Sequence, residues 1–97
     1  MNEAKQAEIA KAYREFNEAG GQLYLDGKVP GNTAALLAGI SDFDDIDAEG
    51  FLSDLRTFKM MMEANALGNQ AGAAKGSKAI IHLTGSDYAH MGVTWTK

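Results

Sequence analysis

Apolar residues near the start of the chain recur every three or four positions: Ile9, Ala12, Tyr13, Phe16 and Ala19. That spacing gathers them on one face of a helix over residues 3–19, while Glu3, Lys5, Glu8, Lys11, Arg14, Glu15 and Glu18 mostly fall elsewhere. Gly20-Gly21 closes it, because glycine reaches the left-handed backbone that ends a helix. In QLYLDGKVPGN, Leu23 and Leu25 alternate with Gln22 and Tyr24, predicting a short extended stretch bounded by Asp26-Gly27 and Pro30-Gly31 turns. Asn32 or Thr33 then caps a short helix through Ala34, Leu36, Leu37 and Ile40, ending at Gly39 or Ile40. Further on, Phe51, Leu55, Phe58 and Met62 form an apolar stripe that ends near Leu67-Gly68. Ser41 or Asp47 starts that third helix, and the acids of residues 41–50 suit the positive end of its dipole.

Beyond residue 77 the period changes. Ala79, Ile81 and Leu83 alternate with Ile80 and His82, and Met91, Val93 and Trp95 alternate with Gly92, Thr94 and Thr96. Gly85-Ser86-Asp87 supplies a turn between them, so a C-terminal hairpin is expected. The intervening GNQAGAAKGS, residues 68–77, has no apolar stripe and reads as a flexible linker. The expected fold is α+β: two to three helices packed with a small antiparallel β element that includes the C-terminal hairpin. Residues 1–97 form one domain, mainly helical over 1–67 with a hairpin or arm over 78–97. Ile9, Tyr13, Phe16, Phe51, Leu55, Phe58 and Met62 are its expected core.

Composition narrows the function classes. Thirteen acids against nine bases give a net charge of −4, so the basic surface needed for direct nucleic-acid binding is missing. No cysteine is present, which excludes disulfides and thiolate metal sites and points to a reducing, intracellular setting: the cytoplasm, or a particle assembled there. The first residues are charged, unlike a signal peptide, and no apolar run is long enough to span a membrane.

Candidate chemistry is sparse. Aligned on Gly50, the run from Asp45 to Arg56 resembles a degenerate EF-hand loop, with Asp45, Asp47 and Glu49 at positions one, three and five. The family places a bidentate Glu at position twelve, where this chain has Arg56, so no calcium site is expected and the acids read as the start of a helix. Ser86, Asp87 and His90, with His82 nearby, are the right types for a hydrolase, but no nucleophile elbow accompanies them. Gly68, Gly72 and Gly76 lie in a polar segment and match no phosphate-binding motif. Met60, Met61 and Met62 are successive, about 100° apart on a helix, so they cannot all face one core.

No catalytic residue, metal site or cofactor is expected, and the chain reads as a non-enzymatic protein-interaction or assembly protein. Its C-terminal β segment would contact a protein partner or a neighbouring copy, as in a small viral (phage) or bacterial structural or accessory protein. The contact residues would be Met60, Met61, Ile80, Leu83, Met91, Val93 and Trp95. The alternative is an acidic inhibitor of a basic, nucleic-acid-binding surface, acting through Asp42, Asp44, Asp45, Asp47, Glu49 and Asp54. A small hydrolase or a degenerate calcium-binding module ranks third.

Overall fold

The computed structural model describes residues 1–68, 75–85 and 87–96. Its elements are α1 (Glu3–Glu18), β1 (Gln22–Leu25), α2 (Thr33–Gly39), α3 (Asp45–Ala66), β2 (Ala79–Thr84) and β3 (Asp87–Trp95). Each helix starts on a side chain that accepts an otherwise orphaned amide. Asn2 takes the Lys5 N–H at 2.8 Å and Asn32 the Ala35 N–H at 2.8 Å. Asp44, rather than Ser41 or Asp47, caps α3 by accepting the Asp47 N–H at 2.7 Å.

The strands form one sheet in the order β1-β2-β3, so the α+β class and the C-terminal strand pair are both present. β2 and β3 pair antiparallel, with Ala79 beside Trp95 and Ile81 beside Val93. β1 adds a parallel pairing that makes the sheet mixed: Leu23 lies beside Ile81 and Tyr24 beside His82. Parallel neighbours need a long crossover, which α2 and α3 supply. Six residues of the expected linker, 69–74, lie outside the described residues. Its two ends are tied to the end of α3, where the Asn65 carbonyl accepts the amides of Gly68 at 3.0 Å and Gly76 at 3.2 Å.

The core lies between the inner face of the sheet and the helices. Leu23, Ala79, Ile81 and Leu83 come from the strands, and Ile9, Phe16, Phe51, Leu52, Leu55 and Met62 from α1 and α3. One expected core residue differs: Phe58 is only half-buried. It lies edge-on to Trp95, ring centroids 5.9 Å apart, under the strand at the sheet's margin, where among the described residues no further strand covers it.

The turn from α1 to β1 is tight enough to be tested. Gly21 is buried, and a Cβ there would lie 2.4–2.6 Å from the ring of Phe16, itself fully buried. Its backbone is outside the left-handed region, so the constraint is steric alone. Gly21→Ala is therefore expected to cost about 1–3 kcal/mol, as overpacked cores do, measured by urea denaturation. An unchanged midpoint would mean the ring gives way without cost.

Candidate interaction surface

Helix α3 carries two apolar stripes. The inner one, Ala48, Phe51, Leu52, Leu55 and Met62, is buried. The outer one, Thr57, Met60, Met61 and Ala64, follows the same three- and four-residue spacing on the opposite side. These four residues line a shallow apolar depression of about 300 Å³. Met60 is 66% exposed, and Leu67, just past the helix end, is 80% exposed. The three methionines thus separate by helical angle: Met62 enters the core, Met61 is half-buried and Met60 faces out.

The other residues expected at a contact surface are distributed by strand parity. Met91, Val93 and Trp95 are half-buried on the inner face of the sheet, packed against the core. Trp95 touches Phe58, which precedes Met61 by one helical turn, so this margin adjoins the outer stripe. Leu83 points into the core, only 4% exposed, and offers nothing to a partner. Ile80 lies on the opposite face of the sheet, between Gln22 and Thr94. On that face Tyr24 and His82 stack at 5.6 Å with an 8° interplanar angle, and the His82 Nε2 lies 2.7 Å from the Thr94 hydroxyl.

The two sheet edges differ. The Thr96 N–H donates to the Lys78 carbonyl at 2.9 Å, so backbone groups at Thr96, Thr94 and Gly92 turn toward β2. Those of Val93 and Trp95 alternate to the open side. From Tyr88 to Trp95 this edge holds no proline and no Lys, Arg, Asp or Glu, and its protection is an irregularity in pairing near Thr84. β1, by contrast, is four residues long and stops at a turn whose Asp26 has a φ of 51°.

The acidic segment is partly occupied within the chain. Residues 45–56, which resemble an EF-hand loop in sequence, are the first turns of α3 and form no loop. Asp44 is the cap, Glu49 pairs with Lys5, and the Asp54 carboxylate accepts the Tyr88 hydroxyl. The bond to Glu49 raises the Lys5 ammonium pKa and the same bond lowers that of Glu49, with Glu49 exposed and Lys5 half-buried. Asp42 and Asp45 are exposed, and Asp47 is half-buried. Further pairs link α1 to α3: Arg56 to Glu8 at 3.4 Å and Lys59 to Glu15 at 3.8 Å.

Ser86 and the Asp87 side chain lie outside the described residues. Among the described residues no three His, Asp or Glu side chains are grouped to hold a metal.

Tyr88 yields a pH prediction. Its ring packs against Phe43 and Phe51, each 5.9 Å away, and burial, then the Asp54 carboxylate, pushes its pKa above the ordinary value of 10.0. An unfolded tyrosine ionises near 10 while the folded one stays neutral, so this stabilisation is complete below about pH 10 and declines above it. Folding stability should fall between about pH 10 and pH 11.5, and fall less steeply in Tyr88→Phe. Chemical denaturation across that range checks it, and parallel curves would remove Tyr88 as the cause.

Comparison with protein families, with curated proteins and with solved structures finds no match.

Proposed function

We propose that this chain is a non-enzymatic interaction or assembly protein. Its contact surface is the outer stripe of α3 together with the adjoining margin of β3. One observation carries this reading: α3 repeats on its solvent side the apolar spacing that it uses in the core. α1 behaves differently, presenting Glu3, Lys11, Arg14 and Glu18 to solvent, as a helix with a single apolar face does. A contiguous apolar patch of this kind marks a contact site more often than scattered exposed residues do. Methionine suits such a site, because its unbranched, polarisable side chain adapts to a partner.

The partner is a protein or a neighbouring copy, and a small structural or accessory component of a viral or bacterial particle is the setting we favour. The lack of cysteine fits a reducing compartment. The acidic-inhibitor reading has no comparable support, since Asp44, Glu49 and Asp54 are engaged within the chain.

Affinity capture from the native source tests the proposal, with the wild type and Met60→Glu/Met61→Glu as parallel baits. Proteins or copies retained by the wild type and lost by a still-folded variant are the expected result. Identical captures, or none with either bait, would refute it.

A further inference from the structure

We infer that the occupant of the outer stripe is a second copy of this chain, packed antiparallel through α3 about a two-fold axis midway between Met60 and Met61. This rests on the interaction reading and adds the identity of the partner. A two-fold contact must be self-complementary, with each surface matching itself when reversed. The stripe has that property. Read in either direction from its midpoint it runs large then small, Met60 to Thr57 one way and Met61 to Ala64 the other. Antiparallel pairing sets Met60 beside Met61 of the second copy and Thr57 beside its Ala64.

Charge supplies an independent match. Arg56 and Glu63 lie on the same flank of the stripe, the side toward α1, about a quarter-turn from its centre. They straddle the same midpoint to within a residue. Reversal therefore brings Arg56 of each copy to Glu63 of the other, twice per dimer, as flanking charges do in paired helices. Both side chains are accessible, at 56% and 54% exposed, and their present partners Glu8 and Lys59 lie 3.4 Å away on the same flank. The pairing extends an existing ladder of opposite charges and desolvates no isolated one.

The stripe covers two helical turns, well short of the ~800 Å² per partner that stable complexes bury, so the dimer is weak and concentration-dependent.

Sedimentation equilibrium of the full chain from about 5 to 500 µM is the test. The weight-average mass should rise from one chain toward two. Met60→Glu, at an exposed position, should raise the apparent dissociation constant at least about tenfold while leaving the thermal midpoint of dilute protein unchanged. Arg56→Glu or Glu63→Arg alone sets like charges together twice and should weaken the dimer. The double variant Arg56→Glu/Glu63→Arg should restore it. A wild type that is monomeric throughout, a dimer indifferent to Met60→Glu, or a double variant no better than the singles would overturn the inference. If the wild type is monomeric yet retains a protein that Met60→Glu/Met61→Glu loses, the second copy is wrong and the interaction reading stands. If the chain is monomeric and retains nothing, both fall.

Discussion

A chain truncated after Ser77 is expected to be unfolded. The deletion removes β2, the central strand, together with β3, and leaves only β1 of the sheet. β1 has its register only with β2, so the four residues from Gln22 to Leu25 lose their ladder partner. Ile81 and Leu83 leave the core, each contributing about 1.5–3 kcal/mol by burial. The loss reaches further, because Tyr88 covers Phe51, Trp95 covers Phe58, and the Ala79 N–H donates to the Met62 sulfur at 3.3 Å. Small domains hold only about 5–15 kcal/mol in total, so losing these side chains together with the sheet pairing and the ring contacts is expected to leave the helices unfolded. Far-UV circular dichroism with a thermal scan is the measurement, and the expected trace has low helicity and no cooperative transition. A cooperative transition with native helicity would show that residues 78–97 are an appendage that packs reversibly on a self-sufficient helical body.

The parts of this fold that were legible in sequence are those decided within one turn or one strand. Ile9, Tyr13 and Phe16 mark the inner face of α1 because its other positions are alanine, polar or charged. The alternation at Ala79, Ile81 and Leu83 marks β2 because its side chains point to opposite faces. Pairing direction is another matter. Nothing in Gln22–Leu25 says that β1 runs parallel to β2, since four residues alternate identically in either sense and the crossover decides it. Position in the sheet was equally hidden. Leu83 and Trp95 look alike as apolar strand residues, but one is on the central strand and covered, the other on the edge and half-open. The outer stripe was half-visible: the methionine run declares that one residue must leave the core, whereas its alignment with Thr57 and Ala64 emerges only with the inner stripe of α3 in place.

The second large effect expected is that of Phe51→Ala, a loss of about 3–5 kcal/mol. Phe51 is fully buried and sits at the junction of three elements. It comes from α3, meets Phe43 of the α2–α3 connection edge-on at 6.2 Å, and meets Tyr88 of β3 at 5.9 Å. Truncation forfeits the transfer energy of the ring and leaves a void among groups anchored from separate directions, which cannot all collapse to fill it. Phe58→Ala is the internal control, since the same ring is removed about two turns further along the stripe, from a half-buried site. Urea denaturation of both variants should place Phe51→Ala well below Phe58→Ala in midpoint, with similar slopes. Equal costs would mean that the open side of Phe58 is covered in solution. Repeating the measurement at several protein concentrations would then identify the cover, because only a second copy makes the midpoint rise with concentration.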